Sequence, residues 1–280
     1  MNLPRNDYNV KYLNLSWCKA DKGVLEKLVS SCQSLQKIGV ANLDPPGHGM
    51  DGWNVAVNVL KSLNPQLLQT LDLNAVKGLD LELMKSLLSC KTLTEISFYD
   101  NWYLSNDCVQ YLVEHLSSDI EQISLSGIRN LTDEHVKTLV RRCKKIKKLE
   151  LAGFGSITED SLTSIVEHSK QLVELDVSGR KIALLPAQEI FRFLNVKSMP
   201  KLKVLLCKHE KRSLQETENL RKLLPHLEIN NQKTIHMGVH LDIANPGVPW
   251  MKPKGRLWDI LINESTKLFP EKPYGSRRRK

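Results

Sequence analysis

An apolar frame, Leu-x-x-Leu-x-Leu in outline, recurs along most of the chain. It begins at Val10/Leu13/Leu15 and returns at Leu35/Ile38/Val40, Leu68/Leu71/Leu73 and Leu93/Ile96/Phe98. Further copies lie at Ile120/Ile123/Leu125, Ile146/Leu149/Leu151 and Leu172/Leu175/Val177, with weaker ones at Leu202/Leu205/Cys207 and Leu224/Leu227/Ile229. Successive starts are 25, 33, 25, 27, 26, 26, 30 and 22 residues apart. Within a frame the second and third apolar residues alternate with polar ones, the period-2 pattern of a half-buried strand. A turn follows, and then a helix-start signal such as Leu131-Thr132-Asp133 or Ile157-Thr158-Glu159. Thr132 and Thr158 are predicted N-caps, and the acids after them suit the positive end of a helix. Val136, Leu139, Val140 and Cys143 then fall at i, i+3, i+4 and i+7, one helical stripe. Leu25, Leu28, Val29 and Cys32 make the same stripe earlier in the chain.

Strand, turn and helix repeating at a period near 26 residues is the leucine-rich-repeat pattern. A helix is wider than a strand, so stacked units wedge and curve. The predicted fold is therefore an α/β leucine-rich-repeat solenoid, a horseshoe with a parallel concave sheet and convex helices, plus a C-terminal tail. Residues 1–9 form a leader, 10–229 the repeats (about nine units, with an insert near 43–53), and 230–280 the tail. The insert is rich in proline and glycine and reads as a protruding loop. The tail holds five prolines but also Trp250, Leu257, Trp258 and Ile260, which predicts that part of it packs on the array.

Charge and composition narrow the function classes. The chain is 41% hydrophobic and 25% charged, ordinary for a globular protein. No apolar run approaches the roughly 20 residues that span a bilayer, and MNLPRNDYNVKY has no apolar core of a secretory signal. No membrane association is expected. Of the net charge of +9, residues 230–280 carry +6 (10 Lys+Arg, 4 Asp+Glu) and the rest +3. A basic excess confined to the tail does not make a nucleic-acid-binding surface, so no nucleic-acid partner is expected. The terminal GSRRRK has the form of a nuclear import signal, and the expected location is nuclear and cytoplasmic.

Catalytic signatures are missing. GxxxxGK[ST], GxGxxG and GxSxG do not occur. His236 and His240 form an H-x-x-x-H pair without a further ligand at finger spacing. Cys143 stands beside Arg142, a setting that could activate a thiol. Yet Cys32, Cys90 and Cys143 each sit three residues before the next frame, and a residue fixed by repeat position is a packing choice. No enzyme, cofactor or metal site is expected. What the frame does offer is a row of residues beside the core leucines, facing the concave surface. They include Asp72, Glu95, Glu150, Glu174 and Asp176, with Ser124 and Ser126 on the fifth strand. Tyr12, Trp17, Tyr99, Asp100 and Trp102 lie near the same side. Acids with aromatics suit protein recognition, since aromatic side chains dominate binding hot spots. The competing reading is a solvated strand face with no partner.

The cysteine-ended units resemble the repeats of the F-box/LRR family. The likeness is carried by CVQYLVEHLSSDIEQISLSGIRNLTDEHVKTLVRRC (Cys108–Cys143), by LLPHLEIN (Leu223–Asn230) and by WMKPKGRL (Trp250–Leu257). The resemblance implies a non-catalytic substrate receptor of an SCF-type (Skp–cullin–F-box) ubiquitin ligase. In that family the concave face and the tail across it receive the protein substrate, sometimes with a small cyclin-kinase regulatory subunit. The family's F-box docks the Skp adaptor and thereby the cullin. Only nine residues precede the first frame here, too few for that helical module. The expectation is a fragment, or a form that cannot dock alone. An interaction scaffold or inhibitor with no ubiquitin role is the alternative.

Overall fold

The computed structural model describes residues 9–16, 18, 23–43, 55–153 and 157–230. Most of the insert, the tail beyond Asn230, His236, His240 and Trp17 lie outside the described residues. The strands are β1 (Tyr12–Asn14), β2 (Lys37–Gly39), β3 (Thr70–Asp72), β4 (Glu95–Ser97), β5 (Gln122–Ser124), β6 (Lys148–Glu150), β7 (Glu174–Asp176), β8 (Val204–Leu206) and β9 (Glu228–Ile229). They form one parallel sheet in sequence order. Between them run α1 (Val24–Ser30), α2 (Val55–Lys61), α3 (Leu81–Leu88), α4 (Asn106–His115), α5 (Asp133–Arg142), α6 (Glu159–His168), α7 (Ala187–Leu194) and α8 (Leu214–Leu223). This is the leucine-rich-repeat solenoid, its sheet on one face and its helices on the other.

Register explains why three-residue strands suffice. Leu13, Ile38, Leu71, Ile96, Ile123, Leu149, Leu175 and Leu205 pair side by side across the sheet. Each is at most 1% exposed. Burying one such side chain contributes roughly 2 kcal/mol, and every unit shares its row with two neighbours. The last unit departs from the sequence frame. Leu205 pairs with Ile229, not with Leu227, so the ninth copy is displaced by two residues. The cause lies in a short final unit whose spare apolar residues, Leu224 and Leu227, are buried as well. Periodicity alone could not choose between them.

The helices form where caps and stripes coincide. Thr132 caps α5 through a reciprocal arrangement with His135, and Thr158 accepts the Asp160 N–H at 3.3 Å to cap α6. Asp133 then ties the two units together, accepting from the Thr158 N–H and hydroxyl, each at 2.8 Å, and from the Ser161 hydroxyl. Desolvation works against this carboxylate, but the bonds from Ser161 and Thr158 outweigh it and hold its pKa below the ordinary value. The stripes predicted at Leu25, Leu28, Val29 and Cys32, and at Val136, Leu139, Val140 and Cys143, are all buried. In the seventh unit a short 3-10 turn, Lys181–Leu184, precedes α7.

Strands β2 to β7 each leave the sheet through a left-handed residue at the same repeat position. Asn42, Ala75, Asp100, Gly127, Gly153 and Gly179 all have positive φ there. Glycine is required where units crowd. A Cβ at Gly179 would lie 2.8 Å from the Gly153 carbonyl oxygen, and one at Gly127 would lie 3.0 Å from the Asp100 Cα.

Candidate functional site

Two rows of side chains point from the strands to the concave side, one on each flank of the central core residue. The first row runs Tyr12, Lys37, Thr70, Glu95, Gln122, Lys148, Glu174, Val204. Neighbours stand one strand spacing apart, about 4.8 Å, and they bond laterally. The Lys37 ammonium lies 5.7 Å from the Tyr12 ring centre. Thr70 donates to Glu95 at 3.1 Å, and Gln122 donates to its other oxygen at 2.9 Å. Lys148 pairs with Glu174 at 2.9 Å and approaches Glu150 at 3.7 Å.

The second row is mostly buried. Asp72, Ser124, Glu150 and Asp176 are at most 4% exposed. Asp72 accepts the Asn74 N–H at 3.0 Å and Asp176 the Ser178 N–H at 2.9 Å, as Asn14 accepts the Ser16 N–H at 2.9 Å. These bonds fix the strand exits. Burial pushes the Asp72 carboxyl up to about 7, although the Asn74 N–H opposes the shift. Ser126, also buried, accepts the Ala152 N–H at 3.1 Å. Ser16 does the same for Ala41, and Ser178 for Lys208. The two serines of β5 and its exit, with Asp72, Glu150 and Asp176, thus sit at the bottom of the face, and of these Ser126 extends the backbone ladder.

Sequence reading missed Arg180. It occupies the repeat position held by Cys18 in the first unit and Asn101 in the fourth. Asn101 donates to the Leu73 carbonyl at 2.7 Å, and the Arg180 guanidinium donates to the equivalent Leu151 carbonyl. Arg180 is fully buried, and burial lowers its pKa to about 10 against the opposing effect of Asp176. Comparing residues by repeat position would have revealed a charge at a strand-closing slot.

The aromatic residues behave differently. Tyr99, Trp102 and Tyr103 are 36%, 36% and 55% exposed at the turn that follows β4. The Trp102 and Tyr103 rings approach to 3.6 Å between centres at a tilt of 33°. The Arg129 guanidinium from the next unit lies 4.5 Å over the Trp102 ring. Exposed Asp100 stands between Tyr99 and this group. Burial first, then the charges of Asp100, Glu150 and Asp176, raise the Tyr99 phenol pKa. The rim is thus an exposed aromatic cluster next to a negative concave face. On β6 to β8, Glu150, Glu174, Asp176, Val204 and Leu206 line a shallow depression, whose apolar side the sequence frame had not singled out.

Cys143 is fully buried, with its Sγ 3.5 Å from the Ser117 carbonyl oxygen. Burial lifts its pKa to about 11 although Arg142 and Lys144 pull downward. Desolvation wins over the nearby cations, which leaves a packing residue.

The family described as "SKP2 LRR domain" matches residues 3–263, in keeping with the F-box/LRR likeness in the sequence and its S-phase kinase-associated branch. No curated protein sequence matches. Among solved structures, the leucine-rich repeat-containing protein LegL7 from Legionella pneumophila is 14% identical, with a TM-score of 0.46 over 78% of this chain and 73% of its own. The Rad7 and Elc1 complex from yeast is 13% identical, with a TM-score of 0.43 over 80% of this chain and 69% of the matched one.

Proposed function

Because the chain belongs to the SKP2 LRR-domain family, we propose that it is the substrate-binding part of an SCF-type ubiquitin ligase receptor. Its contribution is binding, with the chemistry left to other subunits. The observation that carries the recognition role is the exposed Tyr99–Trp102–Tyr103 cluster, seated where the acidic concave face ends. Aromatic side chains present large apolar area at small entropy cost, and such residues concentrate binding energy. Glu95 and Glu174 on the strands, with Asp100 at the rim, supply polar contacts around that anchor. The Skp adaptor and cullin are the partners of this reading, and a cyclin-kinase regulatory subunit is a further one. Nuclear and cytoplasmic location follows from it.

Affinity purification from cells of the longest product of this gene tests the reading, because an F-box is what docks the Skp adaptor. From a product that carries an F-box, recovery of the Skp adaptor and cullin is expected. If neither is recovered while other proteins are, the ligase role fails and a plain interaction scaffold remains.

A further inference from the structure

Each helix runs antiparallel to its strand and so returns the chain to the edge where the next strand begins. Three successive entry loops, 143–147, 169–173 and 195–203, therefore stand side by side. Their sequences are CKKIK, SKQLV and NVKSMPKLK, with seven lysines and no acidic residue. All seven lysines are exposed. Bonds between the loops confirm that they adjoin: Lys170 donates to the Ser198 carbonyl at 2.9 Å, and Lys201 donates to Gln171.

Two ordinary reasons for lysine here fall short. The preceding loop neutralises two of them, Asp119 holding Lys145 at 2.6 Å and Glu121 holding Lys147 at 2.7 Å. The C-termini of α5, α6 and α7 also end at this edge, and a helix end carries about half a negative charge. Two acids and three helix ends leave roughly three positive charges unmatched. Lys144, Lys197 and Lys203 have no ion pair among the described residues. Val196, 54% exposed, stands beside Lys197 and adds apolar surface.

We propose that this entry edge docks a carboxylate-rich segment of a partner protein, laid across the three loops. A polypeptide suits the edge better than a single-stranded nucleic acid. Bases need aromatic platforms, and the exposed aromatic rings among the described residues, Tyr99, Trp102 and Tyr103, are all at the opposite, strand-exit edge. An exposed valine among lysines matches side chains, not bases. The edge is separate from the concave face, so the two surfaces can be occupied together.

The test uses the full chain and a fluorescein-labelled deca-glutamate peptide, followed by fluorescence anisotropy. Binding is expected at about 50 mM salt and is expected to weaken at about 150 mM, since exposed charges are screened. The triple substitution Lys144→Glu, Lys197→Glu, Lys203→Glu should weaken it by about tenfold or more. The matching Lys→Gln variant, which removes the charge without reversing it, should weaken it by about threefold. Both are compared with the parent by thermal melting, and if the Glu variant is unfolded the Gln variant decides. Unchanged peptide affinity in the folded variants overturns the proposal. So does a ten-nucleotide oligouridylate that binds more tightly than the peptide through the same lysines.

Discussion

Glu150 and Trp102 lie within two units of each other on the same side of the solenoid, yet one is buried and the other stands at the surface. Glu150 follows the core residue Leu149, and Trp102 follows the buried Asn101. Glu150 belongs to the strand, where neighbours on both sides and the row beside it close over its carboxylate. Trp102 belongs to the turn beyond the left-handed residue, where the chain swings away from the sheet. Facing the concave side is thus a different property from being available there. The polar strand row works mainly on the fold, and the aromatic rim is free to work on a partner.

Three substitutions probe this contrast, the largest effect first. Arg180→Ala removes the donor to the Leu151 carbonyl and leaves a cavity at a fully buried site. It should cost about 4 kcal/mol in urea unfolding. A loss below about 1 kcal/mol would make the buried polar positions dispensable.

Asp72→Asn should act in the other direction. The folded carboxyl is raised to about 7 from 3.8. Between those values the unfolded chain is ionised while the folded one keeps its proton, so stability falls as pH rises from about 4 to about 7. Asparagine retains the acceptor for the Asn74 N–H, as Asn14 does in the first unit. The variant should be more stable above pH 7 by on the order of 2 to 4 kcal/mol, with the gain vanishing near pH 4. Melting curves at both pH values check it, and a gain equal at the two would rule out the carboxylate as its source.

Trp102→Ala leaves the core untouched. It should weaken recovery of a bound protein by about 2 kcal/mol, the scale of a hot spot, while unfolding stability changes by less than about 1 kcal/mol. Equal losses of binding and stability would place Trp102 with the strand row.

Much of the architecture was legible in the residues themselves. The frame from Val10 to Cys207, the caps at Thr132 and Thr158 and the packing role of Cys143 each follow from spacing and repeat position, and the structure has all of them. The ninth unit was misread by two residues, because three apolar residues lie within reach of two slots. The surface was less legible. Tyr99, Asp100 and Trp102, expected only to lie near the concave side, stand exposed at the turn after β4, whereas Asp72, Ser124, Ser126, Glu150 and Asp176 lie buried, and Tyr103 and Arg180 went unremarked.

The division has one physical origin. Sequence fixed the directions of side chains here, since a period of two sends alternate strand residues to opposite faces and a helical stripe sends every third or fourth one inward. That is enough to specify the solenoid, its parallel sheet and its core. Depth is another matter, set by what the next strand places alongside. Only the assembled units bring the Asp72 carboxyl into a site where burial outweighs its hydrogen bond, seal Cys143 away from the charge of Arg142, and stack Arg129 of one unit on Trp102 of another.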